Sequence, residues 1–166
     1  MYPKFIVDGM LGKIAKKLRF LGFDTLYFAN MDDNKILEMN FDKQRIILTS
    51  DRQLYTRSLK LYIPCLLIIL ENELENLIII MKEFDIRNIF LVPNKYTRCT
   101  ICNGLLDTIA KSSSMKICGL PKNVLENNET FFRCVNCKKL YWSGTHVKEI
   151  NKLVHEINKK IKDKKI

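Results

Sequence analysis

Hydrophobic residues in the first half of the chain alternate between short continuous runs and runs with helical spacing. Continuous apolar runs, often β-branched, predict strands over residues 5–7, 25–29, 45–49 and 66–70. Segments in which apolar residues recur every three or four positions predict helices over residues 12–21, 33–41, 51–59 and 73–84. This alternation predicts right-handed crossovers, and therefore an α/β fold whose parallel sheet has helices on both faces.

Basic residues concentrate in the second half of the chain. The whole sequence has 28 Lys and Arg and 18 Asp and Glu, a formal net charge of +10. Residues 1–93 carry 13 basic and 12 acidic residues, or +1, whereas residues 94–166 carry 15 and 6, or +9. The asymmetry predicts two modules. The basic one favours a polyanion such as nucleic acid, with a lysine-rich solvated surface as the alternative.

Three aspartates lie at the ends of predicted strands. Asp8 ends the first strand, Asp51 follows the third, and Asp33 opens the helix after the second. Because the carboxyl ends of parallel strands share one edge, these acids can converge in one cleft. Carboxylates gathered there suit Mg²⁺ or Mn²⁺, which can activate water and hold a phosphate. The alternative is that each aspartate caps a helix, and Asp32 could take the place of Asp33.

The segment between the first strand and the first helix is rich in glycine. Gly9 and Gly12 would let the backbone approach a phosphate at a helix N-terminus. The spacing matches neither a Walker A loop nor the G-x-G-x-x-G pattern, so it predicts no nucleotide cofactor. Lys13 and Arg52 neighbour the acidic positions in sequence and are candidate phosphate contacts. Exposed helix side chains are the alternative interpretation.

Four cysteines form two C-x-x-C pairs separated by 31 residues. Cys99 with Cys102 and Cys134 with Cys137 have the spacing of two zinc knuckles, which together hold one tetrahedral Zn²⁺. Residues 95–147 contain few apolar residues for a core of their own, so a structural zinc would stabilise them. Redox pairs and unrelated thiols are the alternatives.

Other candidate residues carry weaker signals. Cys65 lies in an apolar strand and is expected in the core, whereas Cys118 lacks a paired partner and stays unassigned. His146 is a candidate nucleic-acid contact, with a structural role as the alternative. Residues 147–161 have an apolar stripe at helical spacing among lysines, which predicts an amphipathic terminal helix. That helix could pack on the body, contact a partner or cover nucleic acid.

Three groups of residues resemble those of a known family. The first is K-F-I-V-D-G-M-L-G-K-I-A with L-R-F-L-G-F-D-T, over residues 4–25, and the second is I-L-T-S-D-R, over residues 47–52. The third is R-C-x-x-C-N-G with the second C-x-x-C pair and Y-W-S-G-T-H, over residues 98–146. In this order they resemble the PIN-like ribonuclease domain named after the C-terminal region of the Mut-seven exonucleases, over about residues 4–149.

The resemblance implies a PIN-like, Rossmann-like α/β fold with a small C-terminal zinc ribbon and a metal-dependent ribonuclease activity. It implies that Asp8, Asp33 and Asp51 are the family's acidic residues, with Asp51 in the T-x-D-R signature. The sequence also departs from the family pattern. Lys13 stands where arginine is common. Members of the family often have a fourth acid after the fourth strand, and this sequence has no clear equivalent. Nearby candidates are Glu71 and Glu73. Thr145 stands where serine is common.

These observations divide the chain into a PIN-like nuclease domain (1–93), a zinc ribbon (94–149) and a basic amphipathic C-terminal helix (150–166). The first hypothesis is a metal-dependent endoribonuclease in which the three aspartates bind Mg²⁺ or Mn²⁺ and the basic ribbon holds RNA. The alternative is a non-catalytic module that binds structured RNA or the ribosome. A DNA-binding zinc-ribbon protein is a third interpretation, which no residue pattern favours.

The sequence predicts neither membrane insertion nor secretion. Its longest stretch without charge is residues 61–70, and Pro64 interrupts it, whereas a helix that spans a bilayer needs about 20 apolar residues. The N-terminus lacks the pattern of a signal peptide. We therefore expect a cytoplasmic protein with no membrane partner, and the sequence does not indicate an oligomeric state.

Overall fold

The structure, a computed structural model, describes residues 3–40, 44–69, 72–111 and 120–162. The eight strands and helices predicted for the first half are all present, with ends that differ by a few residues. In chain order the elements are β1 (Phe5–Val7), a 3-10 turn (Gly9–Leu11), α1 (Gly12–Phe20), β2 (Thr25–Tyr27), α2 (Asp33–Met39), β3 (Ile46–Thr49), α3 (Arg52–Lys60), β4 (Cys65–Leu67), α4 (Glu73–Glu83), β5 (Leu106–Ile109), α5 (Lys122–Asn127), β6 (Phe131–Cys134), β7 (Leu140–Trp142) and α6 (Thr145–Lys162).

The first four strands form a parallel sheet in the order β2-β1-β3-β4. Val7 at the end of β1 is level with Tyr27 of β2 and Leu48 of β3, and Thr49 is level with Leu67 of β4. The chain passes from β1 to β2 on one side and then crosses back past β1 to β3 on the other side, so the winding reverses between β1 and β3. We call the side of the sheet where the strands end the carboxyl edge, and the opposite side the amino edge.

Alternate residues of the central strands face opposite layers of helices. Phe5 and Val7 join a core with α1, α4 and α6, whereas Ile6 and Ile47 join a core with α2 and α3. All four side chains are buried. A parallel sheet covered on both faces needs such continuous apolar strands, and the predicted α/β architecture is confirmed.

Helix α6 packs on the body of the protein through its apolar stripe. Two asparagines on this helix, seven residues apart, also hold the segment that follows α4. The Asn151 side chain bonds both the N–H and the C=O of Val92 (2.8 Å each), and Asn158 does the same for Ile89 (2.9 and 2.8 Å). Packing is thus the structural role of the terminal helix, and no helix in the described ranges is long and apolar enough to cross a membrane.

The second sheet is an antiparallel ribbon in the order β5-β6-β7. Its first two strands are joined by an insertion that contains the short helix α5, which the sequence pattern did not predict because six residues give too few turns for a periodic signal. Cys118, in the same insertion, lies outside the described residues.

The ribbon docks on α1 and β2 through the turn that follows its first cysteine pair. Asn103 Oδ1 accepts from the Thr25 N–H (3.0 Å), and its Nδ2 donates to Asp24 Oδ1 (2.8 Å). The Phe20 ring at the end of α1 packs on Tyr141 of β7, with centroids 6.0 Å apart. The ribbon therefore has a fixed position on the sheet.

Arg19 of α1 lies at the centre of this contact and is only 5% exposed. Its Nε donates to the Thr25 carbonyl (2.8 Å), and its Nη1 donates to the carbonyls of Thr100 (3.1 Å) and Ile101 (3.0 Å). The Arg19 carbonyl accepts from the Arg98 N–H (3.0 Å). A buried guanidinium is costly unless it is hydrogen-bonded, so these partners fix the ribbon to the body.

Asp24 connects the same contact to β3. Arg45 donates to both carboxylate oxygens of Asp24 (2.9 and 3.1 Å). Burial raises the pKa of Asp24, but the hydrogen bonds from Arg45 and Asn103 outweigh it and hold the pKa below its usual value of 3.8. The ionised carboxylate therefore contributes stability that is complete above the usual carboxyl pKa and is lost as pH falls through the lowered pKa.

We predict that Asp24→Asn lowers the free energy of unfolding by about 1–3 kcal/mol at neutral pH, because Arg45 loses its charged acceptor. Urea unfolding at several pH values measures this effect. Between neutral and acidic pH, the free energy of unfolding should fall less for the variant than for the parent, because the variant lacks the carboxylate whose protonation destabilises the parent.

Asp107→Asn, an exposed change on β5, is the control and should alter stability by no more than about 0.5 kcal/mol. If the free energies of unfolding of Asp24→Asn and of the control changed with pH by the same amount, the result would contradict the role given to Asp24.

Candidate functional site

The hydroxyl of Thr49 links two of the predicted acidic residues. Asp8 follows β1 and Asp51 follows β3, the two central strands of the sheet. Thr49 Oγ1 donates to Asp8 Oδ2 (2.8 Å) and accepts from the Asp51 N–H (2.9 Å). The Asp8 N–H donates to the Leu48 carbonyl (3.0 Å). These bonds hold both aspartates at the carboxyl edge, beside the point where the winding reverses.

The third predicted acid is close enough to the other two to respond to their charge. Burial raises the pKa of Asp33, and the neighbouring charge of Asp51 and then of Asp8 raises it further. Arg57 of α3 opposes this shift, with its Nη1 3.5 Å from Asp33 Oδ2. Negative charge therefore gathers at the carboxyl edge, and Arg57 balances part of it.

Two aspartates also cap helices, which was the alternative interpretation of the pattern. Asp51 Oδ1 accepts from two N–H groups at the start of α3 (2.5 and 3.4 Å). Asp32, which is exposed, accepts from the Asn34 N–H (2.8 Å) and caps α2. Asp33 is thus left in the first turn of α2, half-buried and without the capping role.

The two glycines after β1 have a packing role. A Cβ on Gly9 would lie 2.5 Å from the Ala29 carbonyl oxygen, and a Cβ on Gly12 would lie 2.5 Å from the Tyr27 hydroxyl. The loops that follow β1 and β2 can approach each other because position 9 has no side chain, and Gly12 leaves space for the end of the Tyr27 side chain of β2. The sequence suggested that the backbone at these glycines approaches a phosphate. In the structure, Tyr27 of β2 and Ala29 in the loop after it approach the glycines closely.

The candidate phosphate contacts lie on helix surfaces. Lys13 is 86% exposed with its Nζ 3.7 Å from Glu73 Oε1, and Arg52 is exposed at the first position of α3. Glu73, a candidate fourth acid, also binds Lys17, and this hydrogen bond lowers its pKa. Two lysines of α1 therefore already engage Glu73. Glu71, the other candidate, lies outside the described residues.

His146 and Tyr141 differ in exposure and role. His146 is fully exposed near the start of α6, with Nδ1 3.6 Å from Glu149 Oε2. Tyr141 is half-buried, and its hydroxyl donates to Cys99 Sγ (3.1 Å) and accepts from the Thr100 N–H (3.0 Å). Tyr141 thus belongs to the interior of the ribbon, while His146 is accessible to a large ligand.

The two C-x-x-C pairs adopt the same turn. In the first, the Asn103 N–H donates to the Cys99 carbonyl (2.9 Å); in the second, the Lys138 N–H donates to the Cys134 carbonyl (3.2 Å). Asn103 and Lys138 both have a left-handed backbone, with φ of 66° and 61°. Asparagine tolerates this conformation, so the Asn-Gly after the first pair was a usable sequence signal.

The four cysteine sulfurs converge on one point. All lie within 4.8 Å of one another, with 3.5 Å between Cys99 and Cys137 and 3.3 Å between Cys102 and Cys134. Tetrahedral zinc with Zn–S bonds of about 2.3 Å places its sulfurs about 3.8 Å apart. The cluster therefore suits zinc in both donor type and spacing, and four protein ligands leave no open position for catalysis.

The thiols of the cluster differ in how readily they ionise. Burial raises the pKa of Cys134. A backbone hydrogen bond lowers the pKa of Cys137, but burial and the neighbouring thiols outweigh it and raise the pKa, whereas the surroundings of Cys102 favour its thiolate. Burial raises the pKa of Cys102, but hydrogen bonds from Gly104 and the other thiols outweigh it and lower the pKa to about 6. Burial lowers the pKa of Arg19, and the charges of Cys99 and Cys102 oppose that shift. The buried cation and the Cys102 thiolate thus stabilise each other.

Within the described ranges, this cysteine cluster is the only group of three or more His, Cys, Asp or Glu side chains placed to hold one metal ion. Asp8, Asp33 and Asp51 lie at the same edge, but their ligand atoms do not meet at one point. Their existing bonds explain this difference, because Thr49 orients Asp8 and the helix cap orients Asp51.

Two residues of the acidic site were not found from the sequence. Thr49 was visible only as the threonine of the T-x-D-R signature, with no indication that it joins Asp8 to Asp51. Arg57 lies within the α3 pattern as one more polar helix residue, and its contact with Asp33 depends on how α2 and α3 pack.

Comparison with protein families gives one match. A family model described as "Mut7-C RNAse domain" matches residues 3–154, which is more than nine-tenths of the chain. This is the family that the sequence motifs resemble. The match includes the parallel sheet, the cysteine cluster and most of α6. A search of the curated proteins finds no match.

We predict that the purified protein contains one zinc ion per chain and that Cys134→Ser loses most of it, because a tetrahedral site with three thiolates binds zinc less tightly. Metal analysis of the protein after dialysis measures the content. Folding of the ribbon should fail together with zinc binding, and circular dichroism and limited proteolysis would detect this.

Cys65→Ser is the matched control. Cys65 is half-buried on β4, outside the cluster, and burial raises the pKa of its thiol to about 11. This variant should keep its zinc. Equal zinc content in the two variants would show that the metal is not held by the cluster.

Proposed function

We propose that the chain, which belongs to the Mut7-C RNAse domain family, is a divalent-metal-dependent endoribonuclease with its active site at the carboxyl edge. The family match supports a ribonuclease with RNA as its substrate. The observation that supports the finer proposal is the Thr49 hydroxyl, which bonds both the Asp8 carboxylate (2.8 Å) and the Asp51 N–H (2.9 Å) at the carboxyl edge. Asp33 lies close enough for the charges of both to raise its pKa.

The donor set fits a divalent cation. Asp8, Asp33 and Asp51 would hold Mg²⁺ or Mn²⁺, because hard oxygen ligands suit these ions and three neighbouring carboxylates repel one another without one. Such an ion supplies an activated water and stabilises the charge that develops on the phosphate. Thr49 would keep Asp8 in position for this role, since its hydroxyl bonds that carboxylate.

Basic side chains near the edge would position the substrate. Arg57 lies 3.5 Å from the Asp33 carboxylate, and its side chain is 42% exposed. Once a cation balances Asp33, the Arg57 guanidinium is available to hold a phosphate of the substrate in a bidentate manner. Lys13 and Arg52 would contact flanking phosphates, and both are exposed on the helices that follow Asp8 and Asp51.

We propose that the two halves of the chain have different roles. Residues 1–93 would carry the acidic site, and residues 94–149 would form the zinc ribbon that holds RNA with His146 as one contact. Residues 94–166 carry a net charge of +9, which favours RNA through the release of counterions and makes its affinity fall with salt. Helix α6 would add lysines on the face that it does not use for packing.

We predict that the protein cleaves RNA in the presence of Mn²⁺ and that Asp8→Asn and Asp33→Asn each slow cleavage about a hundredfold or more. Each change removes one of the charges proposed to hold the cation, and the lost stabilisation corresponds to several kcal/mol in the transition state. The measurement is cleavage of end-labelled structured and single-stranded RNA, with a chelator as the metal-free comparison.

Asp32→Asn is the matched control for Asp33→Asn. It removes the same charge one residue away and keeps a side chain that can cap α2, so cleavage should stay within about twofold of the parent. Salt-sensitive binding of RNA by all variants with no cleavage by any would contradict the proposal and favour a non-catalytic RNA-binding or ribosome-binding module.

A further inference from the structure

We propose that an open groove at the amino edge of the parallel sheet binds a single-stranded segment of RNA. The groove has a volume of about 730 Å³, within the usual range of small-ligand sites. Its lining includes Lys4, Gly22, Phe84, Phe90, Tyr96 and Arg98. The proposal rests on the proposed function, because it gives the same RNA substrate a second contact.

The groove and the acidic site lie on opposite edges of the sheet. Lys4 directly precedes β1 and Asp24 directly precedes β2, so the groove lies where the strands begin. Asp8 lies where β1 ends, four residues from Lys4, or about 13 Å along an extended strand. Because β1 is buried and helices cover both faces of the sheet, an RNA strand that reaches both the acidic site and the groove would pass around the protein surface, a path longer than this distance.

Two aromatic rings in the groove face solvent. Phe90 is 50% exposed and Tyr96 is 42% exposed, with ring centroids 6.3 Å apart and planes tilted by 32°. The Lys95 Nζ lies 4.9 Å from the centre of the Tyr96 ring. Exposed rings flanked by cations are the usual platform on which single-stranded bases stack.

The backbone that carries Phe90 is held rigidly. Its neighbour Ile89 bonds the Asn158 side chain through both N–H and C=O, and Val92 bonds Asn151 in the same way. A binding platform on a fixed segment loses little conformational entropy when a ligand binds. The asparagine contacts of α6 thus prepare this surface for a ligand.

The carboxylates in the groove already have partners. Asp24 pairs with Arg45 at 2.9 Å, and Asp85 pairs with Arg87 at 2.9 Å. The negative charge that would repel a phosphate is therefore balanced before a ligand arrives.

Arg98 provides a cation for the ligand. Its Nη1 donates to the Asn103 carbonyl (2.9 Å). Its buried Nε has no hydrogen-bond partner among the residues that the structure describes. Together with Lys4, Arg98 gives the groove positive charge beside the two rings, and this combination suits a phosphate next to a stacked base.

These features favour single-stranded RNA over a duplex. Stacking on Phe90 and Tyr96 requires a free base face, and paired bases do not offer one to a side chain. The binding should tolerate different sequences, because every base has a π-face. The groove would thus select substrates with an unpaired segment next to the cleavage point.

The test is the affinity of the full-length chain for fluorescein-labelled oligouridylate, measured by fluorescence anisotropy. All proteins carry Asp8→Asn to prevent cleavage. We expect Phe90→Leu and Tyr96→Leu each to raise Kd about 5- to 100-fold through lost stacking. Tyr62→Leu, the same change at an exposed tyrosine outside the groove, should leave Kd unchanged, and Arg98→Gln should reduce the salt dependence of binding by about one ion.

A conservative variant separates stacking from folding. Tyr96→Phe keeps the ring and should bind as the parent does, with an equal melting temperature. If the leucine variants melt like the parent and bind RNA with the same Kd as Tyr62→Leu, the groove proposal is overturned while the proposed function stands. Failure of the Asp8→Asn parent to bind any RNA would also overturn the groove. Cleavage is assayed separately with proteins that retain Asp8: cleavage by the parent and by both leucine variants, together with groove-independent binding, would overturn only the groove, and no cleavage by any of them would overturn the proposed function.

Discussion

The buried guanidinium of Arg19 is the contact on which the two halves of the molecule depend. Arg19 lies in the last turn of α1, and its guanidinium binds the carbonyl of Thr25, the first residue of β2, and donates to two carbonyls of the first cysteine turn. A cation at this depth is stable only while all of these acceptors and the neighbouring thiolates are in place. Formation of the cysteine turn and docking of the ribbon are therefore linked. The same helix begins a few residues after Asp8, so the ribbon also supports the loop that carries the first acid.

The order of the strands explains the arrangement of the acidic site. β1 and β3 are neighbours in the sheet although β2 separates them in sequence, and this pairing lets one threonine hydroxyl join Asp8 to Asp51. Asp33 follows the edge strand and approaches from the side, with Arg57 as its counter-charge. The site thus combines two acids at the ends of the central strands with a third acid at the start of a helix. In the proposed reaction, Asp8, Asp33 and Asp51 would hold the cation, and the basic half of the chain would supply the attraction for RNA.

Local patterns were sufficient to predict the α/β fold, the parallel sheet and the cysteine cluster. Strand and helix periods follow from which faces are buried, and the two C-x-x-C pairs each form within one turn. Contacts between distant segments were not predictable in this way. Arg19 occurs in the α1 pattern as one of several basic residues, and nothing marks it as buried. Asn151 and Asn158 look like solvent-facing residues of an amphipathic helix. The groove brings together residues from Lys4 to Arg98, whose proximity depends on the finished fold.

Anomalous diffraction from crystals grown with Mn²⁺ would show whether the three aspartates hold a cation, because it locates the ion without reference to activity. Data collected on both sides of the manganese absorption edge would distinguish this ion from zinc. We expect a manganese peak between the carboxylates of Asp8, Asp33 and Asp51, with their side chains turned toward it, and a separate zinc peak among the four cysteine sulfurs. A zinc peak in the ribbon with no manganese at the carboxyl edge would contradict the proposed catalytic site.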